Sequence, residues 1–305
     1  MSSGSAVVDR HRAALAQFDR VVLQVQPDQW TLPTPCTEWS VHDLVNHVVG
    51  EALWVPPLLE GRTIAEVGDA FDGDVLGSDP HAAWSSAHPP AAAAADVDDV
   101  DTRIVQLSFG ATPAAEYLRQ LTADYIVHAW DLATAIGADG TLDAELVDAV
   151  GGWFGPMADA YRGAGVIADL VSVEEDADAQ RRLLAQFGRD ARRAQTLAAV
   201  DRFEAAFGRR DVDAIMAAMT DDCVFESTSP PDGQRFVGAD AVRGAWTDLF
   251  AASDKTDFVG EDRMVAGDYV VSRWRYDWAD GHVRGVDLYR VRGTQVAEKA
   301  SYVKG

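Results

Sequence analysis

The spacing of apolar residues changes near residue 190, and this change limits the chain to a two-part architecture. Before that point, apolar residues recur every three or four positions, as they do in amphipathic helices. After it, apolar and polar residues alternate over short stretches, as they do in strands that bury one face. We therefore expect an all-α domain over residues 1–190, followed by an α+β domain over residues 191–305.

The charge changes at the same place. Residues 1–190 contain ten arginines and no lysine against 30 acidic residues, whereas the remainder contains 16 basic and 19 acidic residues. The length of 305 residues also favours two domains. Because the formal net charge is −23, nucleic acids and anionic membrane surfaces should be repelled, and we expect neither as a partner.

Other sequence features predict a cytoplasmic protein. No apolar run approaches the roughly 18 residues that a membrane span needs. The first residues have no hydrophobic signal core. The two cysteines, Cys36 and Cys223, cannot form a disulfide framework.

The first part is predicted to be a four-helix bundle. The helices are expected at about 7–25, 40–59, 113–137 and 143–163. Thr37 or Ser40 can cap the second helix, and Pro113 suits the start of the third. Residues 61–103 are rich in Ala, Asp and Pro, so we expect a loop there with short helical pieces.

The second part is predicted to be a curved sheet that wraps a helical layer. Helices are expected at 192–208, 211–219 and 239–252, and strands at 222–228, 257–266, 269–278, 283–291 and 295–303. Turn signals lie at Asp232-Gly233, Asp280-Gly281 and Arg292-Gly293.

A possible metal-binding constellation lies in the first part. Asp124, His128 and Asp131 are spaced i, i+4 and i+7, so they share one face of a helix. His47 lies in an apolar helical stretch, and Glu51 follows one turn later. Two histidines and a carboxylate from facing helices are typical of catalytic metal sites that leave one coordination position open.

The spacing alone leaves ordinary structural roles open. A single histidine in a helix is more often a core or surface residue, and acid–histidine pairs at i, i+4 often arise by chance. Asp131 could be a carboxylate that orients a ligating ring, or a solvated acid that only packs against a helix.

Several longer motifs carry a family resemblance. They are Thr34-Pro35-Cys36-Thr37-Glu38-Trp39-Ser40-Val41, His47, Asp124-x-x-x-His128-x-Trp130-Asp131-Leu132-Ala133 and the closing Leu183-Leu184-Ala185-x-x-Gly188-Arg189-Asp190. Together these resemble the mycothiol-dependent maleylpyruvate isomerase-like group of the DinB-like superfamily, over about residues 8–190. The resemblance implies a bundle with a divalent metal, expected to be zinc, bound by His47, Asp124 and His128. Asp124 stands where the isomerases have Glu.

The same resemblance implies the chemistry of a small thiol. Such enzymes use the metal to ionise a low-molecular-weight thiol, here mycothiol-like, and deliver it to an electrophile. Glu51 and Asp131 are expected to support the ligands. Arg103 and Arg119 are candidates to bind the cofactor or an anionic substrate, which the charge of the domain otherwise disfavours. Independently of the resemblance, a structural role is expected for Cys36, and a position in the core is expected for Trp39, Trp54 and Trp130.

The second part resembles the SnoaL-like, nuclear-transport-factor-2-like superfamily, which includes ketosteroid isomerase and polyketide cyclases. The resemblance rests on the layout and on Phe207-x-x-x-Asp211-Val212-Asp213, Asp221-Asp222-Cys223-Val224-Phe225 and Gly285-Val286-Asp287-Leu288-Tyr289-Arg290-Val291. It implies a cone-shaped ligand pocket with one inward acid, and a possible homodimer. The catalytic candidates are Asp287, Glu226 and Tyr302, with Arg275 also considered.

The alternation along residues 269–278 predicts which face of that strand lies inside. Val270, Trp274, Tyr276 and Trp278 are expected to face the interior, with Arg273, Arg275 and Asp277 on the outer face. An aromatic cavity with one acid would suit a hydrophobic ligand.

Three functional hypotheses follow, each with a small-molecule ligand as partner. The first is a metal-dependent enzyme of the thiol transferase or isomerase type with an accessory sheet domain. The second is a cyclase, isomerase or dehydratase in the sheet domain, with a structural bundle. The third is a non-catalytic binding protein. An intact set of His47, Asp124 and His128 favours the first. A buried acid of raised pKa in the cone, with an empty bundle site, favours the second, and the absence of both leaves the third.

Overall fold

The computed structural model describes residues 3–229, 231–252, 258–278 and 281–304. Contacts divide the chain into Met1–Asp190 and Ala191–Gly305, which we call the helical unit and the sheet unit. Of the predicted turns, Asp280 lies outside the described residues.

The helical unit is built around a four-helix bundle. Its helices are α1 (Ser3–Val22), α2 (Val41–Leu59), α3 (Ile64–Val67), α4 (Pro80–Ala95), α5 (Ala114–Ile136), α6 (Ala144–Phe154), α7 (Ala158–Gly163) and α8 (Ala179–Gln186). A hairpin of β1 (Ile104–Leu107) and β2 (Gly110–Pro113) precedes α5. Helices α1, α2, α4 and α5 pack against one another, so the predicted bundle is confirmed.

The fourth bundle helix is not the predicted one. Helix α4 lies in the stretch predicted to be loop, and the predicted helix 143–163 is instead α6, which packs on α8 and α5. Asp79 caps α4 by accepting the Ala82 N–H at 3.0 Å. Trp84 is fully buried and donates to Asp19 Oδ1 at 2.8 Å. This tertiary packing outweighs the prolines inside the helix, which local propensity penalises.

Helix α2 begins at a capping box, which fixes the position of His47. Ser40, not Thr37, is the cap: its Oγ accepts the Asp43 N–H at 3.2 Å, and Asp43 Oδ2 accepts the Ser40 N–H at 2.9 Å. With the start of the helix fixed, His47 and Glu51 follow on successive turns of α2.

The sheet unit is a six-stranded sheet with three helices. The helices are α9 (Ala191–Arg209), α10 (Val212–Ala217) and α11 (Ala239–Ala252), and the strands are β3 (Met219–Glu226), β4 (Arg235–Val237), β5 (Phe258–Ala266), β6 (Tyr269–Trp278), β7 (Gly281–Arg292) and β8 (Gln295–Val303). The strand order is β4-β3-β8-β7-β6-β5, with β3 and β8 parallel and the other pairs antiparallel. The α+β class is as predicted, whereas β4 was not predicted.

One face of the sheet covers the helices and forms the core of the unit. Phe203 of α9 and Trp246 of α11 are fully buried against this face, with ring centroids 5.9 Å apart. On β6, Val270 and Trp274 lie on the buried face and Arg273 on the exposed face. The prediction for β6 is therefore confirmed for Val270 and Trp274, whereas Trp278, also expected inside, is 49% exposed.

No helix in the described ranges combines the length and the apolar character that crossing a membrane requires.

Candidate metal centre and the interior of the sheet unit

Helices α2 and α5 bring His47, Asp124 and His128 together. His47 Nε2 lies 3.2 Å from Asp124 Oδ2, and His128 Nε2 lies 3.3 Å from Asp124 Oδ1. One ligand atom from each residue lies within 4.8 Å of the other two. Ligand atoms about 2.1 Å from a tetrahedral zinc ion would lie about 3.4 Å apart, so the donor set and its spacing fit a divalent metal.

Asp131 contacts the ring of His128 at Nδ1, on the opposite side from the Nε2 atom that faces Asp124. Its Oδ2 lies 3.0 Å from His128 Nδ1, so it can accept an Nδ1–H and leave the Nε2 lone pair free for a cation. Arg189 in turn binds Asp131 through two bonds, Nη2 to Oδ2 at 2.8 Å and Nε to Oδ1 at 3.3 Å. Asp131 has no solvent exposure, which excludes the solvated role left open by the sequence.

The charged groups of this centre shift one another's pKa values. Burial alone would lower the pKa of His128, but the carboxylates of Asp124 and Asp131 outweigh it and raise that pKa to about 9. Burial likewise opposes ionisation of Asp124, yet the two histidines hold its pKa well below the usual range. A divalent cation could therefore take the place of the proton that the two carboxylates stabilise on His128.

Glu51 borders this centre. Burial, followed by the negative charge of Asp124, raises its pKa. A carboxyl group with a raised pKa beside candidate metal ligands suits proton transfer more than permanent coordination.

Trp39 contradicts its predicted core role. It is partly exposed, and its ring lies 4.9 Å from that of His47 and 5.7 Å from that of His128, centroid to centroid. The loop before α2 places it there through the Thr34 hydroxyl, which donates to the Trp39 carbonyl at 3.0 Å. Trp54 is also partly exposed, whereas Trp130 is buried as predicted.

Cys36 also has neighbours that the sequence did not suggest. Its Sγ and ligand atoms of His128 and Asp131 lie within 4.8 Å of one another. Burial raises the pKa of this thiol, although the nearby Arg189 acts in the opposite direction. No histidine is close to Cys36 in the sequence, but the fold brings His128 of α5 near its thiol.

The arginines predicted to bind a cofactor have partners elsewhere in the helical unit. Arg103 Nη1 donates to the Leu59 carbonyl at 2.7 Å, and its Nε donates to Asp99 at 2.9 Å. Arg119 lies 3.4 Å from Glu116 on its own helix. Their role in binding a cofactor remains a prediction.

In the sheet unit, Asp287 is the acid on the inner face. Strand β7 alternates so that Asp287 and Tyr289 are buried while Arg290 is exposed. Asp287 Oδ2 lies 2.8 Å from Lys299 Nζ and accepts the Tyr289 hydroxyl at 3.2 Å. Burial, followed by the charge of Asp287, raises the pKa of Tyr289 well above its ordinary value.

Lys299 is a site residue that the sequence did not reveal. It is 6% exposed, and the rings of Phe225, Trp246 and Tyr289 lie 5.6–5.9 Å from its Nζ. The alternation of β8 places it inside, but a lysine is so often exposed that no such position was assigned to it.

Glu226, Tyr302 and Arg275 lie on the outer face of the sheet and do not line its interior, and for Arg275 this is the face that the alternation predicted. A catalytic role for them remains a prediction. Glu226 lies on the outer face and pairs with Arg235 at 3.4 Å. Tyr302 is 55% exposed and lies opposite Val286 on the outer face. Arg275 pairs with Asp277 at 2.7 Å on the outer face of β6.

Two protein families match the chain. The mycothiol maleylpyruvate isomerase N-terminal domain matches residues 11–133, which include the triad and Trp39. The SnoaL-like domain matches residues 200–299, which include Asp287 and Lys299. The first match lies within the helical unit and the second within the sheet unit. Both resemblances inferred from the sequence are thereby confirmed.

Individual relatives were also found. Uncharacterised proteins from two strains of Mycobacterium tuberculosis are each 34% identical to this chain over 137 residues, which is 45% of this chain and 70% of the relative. Among solved structures, a nuclear-transport-factor-2-like protein of unknown function from Mesorhizobium loti is 40% identical, covering 37% of this chain and 94% of its own, with a TM-score of 0.34. One from Burkholderia xenovorans is 17% identical, covering 37% and 85%, with a TM-score of 0.32.

Proposed function

We propose that the protein is a divalent-metal-dependent enzyme of the thiol transferase or isomerase type, with its active centre in the helical unit. The observation that carries this proposal is the convergence of two histidine Nε2 atoms on one carboxylate, at 3.2–3.3 Å. The family match to the mycothiol maleylpyruvate isomerase N-terminal domain supports a small thiol as the second component.

His47, Asp124 and His128 would hold the metal, with zinc the ion that best suits two imidazoles and a carboxylate. With three protein ligands, such an ion would have room for a thiol sulfur as a further ligand. A divalent cation supplies Lewis-acid stabilisation of the thiolate at neutral pH.

Three further residues would orient a ligand, transfer the proton of the thiol and limit the access of water. Asp131, anchored by Arg189, fixes the tautomer and the plane of His128. Glu51, whose pKa is raised by its burial, can take the thiol proton and return it. Trp39 covers both imidazoles and excludes water from one side of the centre.

The metal part of the proposal can be tested by elemental analysis. After dialysis against a chelator and reloading with zinc, the wild-type protein should hold about one zinc per chain. His47→Ala, Asp124→Ala and His128→Ala should each lose it, because two ligands rarely retain zinc through dialysis. His42→Ala is a matched control, since His42 lies on α2 in a solvent-exposed pair with Asp74. Full zinc in the His128 variant after chelation would refute the assignment.

The thiol part needs a separate measurement. Calorimetry of the zinc-loaded protein should show binding of mycothiol, and thiol consumption with 1-chloro-2,4-dinitrobenzene should be faster than in the Asp124→Ala variant. If metal binds and no thiol does at millimolar concentration, transferase chemistry is wrong. An enzyme of the sheet unit, or a non-catalytic binding protein, would then be the better hypothesis.

We also propose that the protein acts in the cytoplasm, that its sheet unit binds a small molecule, and that it forms a homodimer. The compartment follows from the cysteine usage and the apolar distribution of the sequence. Size-exclusion chromatography with light scattering would measure the oligomeric state directly.

A further inference from the structure

The loop before α2 holds Trp39 against the candidate metal centre through a set of backbone hydrogen bonds. Its ends are bridged at Pro33 and Ser40. Within the loop, the Thr34 N–H donates to the Trp39 carbonyl at 3.0 Å, and the Trp39 N–H donates to the Cys36 carbonyl at 3.1 Å. Ser40 then begins the capping box of α2, so the loop leads directly into the fixed start of that helix.

The same loop contains a strained residue, Glu38. Its φ is 74°, in the left-handed region that residues other than glycine rarely adopt. Glu38 is the third residue of the turn from Cys36 to Trp39, where glycine is the usual residue for such a φ value. Its own side chain is exposed. Strained residues persist where the surrounding structure requires them, often at functional sites, and here the strain accompanies the placement of the next side chain, Trp39.

The indole of Trp39 lies against the rings of both histidines, whereas the carboxylates contact their nitrogen atoms. The ring centroid of Trp39 lies 4.9 Å from that of His47 and 5.7 Å from that of His128, and the second pair is stacked with 30° between the planes. Asp124 lies at Nε2 of His128, and Asp131 lies at Nδ1. Trp39 therefore adds a contact with the face of a ring whose two nitrogens already face carboxylates.

This contact gains importance when the imidazoles carry positive charge. An imidazole that binds a divalent cation gives up electron density to it, so part of the positive charge spreads over the ring. The face of an indole is negative, and tryptophan is the side chain that best stabilises a cation within about 6 Å of its centroid. Both imidazole centroids lie within that distance of Trp39. An aliphatic cover would exclude water too, but it would give no such stabilisation.

We propose that the π face of Trp39, held in place by the strained turn at Glu38, stabilises the metal-bound imidazoles of His47 and His128 and so raises the affinity of the centre for a divalent cation. This inference rests on the metal part of the proposed function. It assigns part of the metal affinity to a side chain that is not a ligand. The contribution of such a contact corresponds to about a three- to thirtyfold change in affinity.

The test changes the electron density of the indole face while it keeps the shape of the ring. Tryptophan analogues with one, two or four fluorine atoms are incorporated at position 39 of the full chain by suppression of a stop codon. Zinc affinity is then measured by competition with a fluorescent chelator. Because fluorine withdraws electron density from the face, zinc affinity should fall stepwise along the series, by about three- to thirtyfold in total.

Three controls separate this effect from packing. The same analogues at Trp54, which is also partly exposed but packs against Phe71 at 5.3 Å, should leave zinc affinity unchanged. Trp39→Leu keeps an apolar cover and should lose about as much affinity as the analogue with four fluorines. Glu38→Gly allows the turn without strain and should retain the affinity, whereas Glu38→Val, whose branched side chain disfavours positive φ, should weaken it.

A zinc affinity that does not change along the fluorinated series would overturn the inference, because a side chain that only excludes water would behave in that way. A similar fall in the Trp54 series would also overturn it, since the analogues would then act through the fold. Equal zinc affinity in Glu38→Gly and Glu38→Val would remove the role of the turn. Absence of zinc from the wild type would refute the proposed function together with this inference, whereas zinc that binds equally along the series would refute the inference alone.

Discussion

Each of the two units contains a buried carboxylate, and the charge of that carboxylate is compensated differently in each. In the helical unit, Asp131 is shared between Arg189 and a histidine that remains free to bind a cation on its other side. In the sheet unit, Asp287 is paired with a lysine whose ammonium group is enclosed by aromatic rings. The first arrangement prepares a ligand for a metal, whereas the second neutralises a charge and leaves one carboxylate oxygen available.

The largest expected effect comes from removing the cation of each pair. Among the described residues, Lys299→Met leaves the Tyr289 hydroxyl as the remaining hydrogen-bond partner of Asp287, so the free energy of unfolding of the sheet unit should fall by about 3–5 kcal/mol. Arg189→Met should cost the helical unit less, because Asp131 keeps His128 as a second partner. Urea unfolding followed by circular dichroism measures both; equal losses would remove the distinction between the two pairs.

A smaller effect concerns the metal. Asp131→Asn should weaken zinc binding about ten- to hundredfold, because the ring of His128 loses the carboxylate that fixes its tautomer. Competition with a fluorescent zinc chelator measures the change. Asp148→Asn, an exposed residue of α6, is the matched control and should leave the affinity unchanged. If Asp131→Asn bound zinc as tightly as the wild type, the Asp131 carboxylate would contribute to the stability of the fold and not to zinc affinity.

The third prediction uses pH to separate the units. His11 of α1 is buried, and burial lowers its pKa from 6.5 to about 4. Since the unfolded chain takes up this proton at a higher pH than the folded one, stability is lost as pH falls from about 6.5 toward 4. The loss should reach about 2 kcal/mol at pH 5.

His11→Phe should remove that component of the acid sensitivity. The measurement is the difference in free energy of unfolding between pH 7.5 and pH 5, for the wild type and the variant. His42→Phe changes an exposed histidine and serves as the control. If the His11 variant lost as much stability as the wild type at pH 5, the buried neutral histidine would not be the cause.

A modest effect is expected at the start of α2. Ser40→Ala removes the side-chain half of the capping box and should destabilise the helical unit by about 1 kcal/mol, measured as a lower unfolding midpoint. Thr37→Ala should cost less, because Thr37 does not cap the helix. Equal losses would show that the cap contributes little.

The smallest effect should follow from dividing the chain. Residues 1–190 and 191–305 are proposed to fold when expressed separately, each with nearly the thermal midpoint that it has in the full chain. The charge break and the change in periodicity lead to this expectation. Limited proteolysis of the full chain should cut first near residues 188–194. If the full chain unfolded in a single cooperative transition and neither part folded when expressed alone, the proposal of two independently folding parts would be wrong.

The sequence predicted the convergence of His47, Asp124 and His128 better than it predicted the sheet interior, and geometry explains the difference. Asp124, His128 and Asp131 are close because of helix periodicity, which can be counted within eight residues. Lys299 and Asp287 meet only through the register of two strands, which sequence alternation does not set between distant segments. For the same reason the sequence could not show which of the candidates Asp287, Glu226 and Tyr302 faces the interior.

The misplaced fourth helix has a related cause. The Ala-, Asp- and Pro-rich composition predicted a loop where α4 forms, but Trp84 and a row of small residues pack it against α1 and α2. Likewise, Trp39 and Cys36 reach the centre through a loop whose course no periodicity describes. Elements dictated by local rules were predictable, and those held by tertiary contacts were not.

The position of Trp39 gives the molecule an optical reporter of its own centre. Its indole lies within 5–6 Å of both imidazole rings between centroids, closer than ordinary energy- or electron-transfer distances require. Protonation of those rings, or occupation of the centre by a coloured ion such as cobalt(II), should therefore quench its emission. With Trp39→Phe as the subtraction blank, light emitted by this one side chain would follow loading of the centre in real time, without an added label.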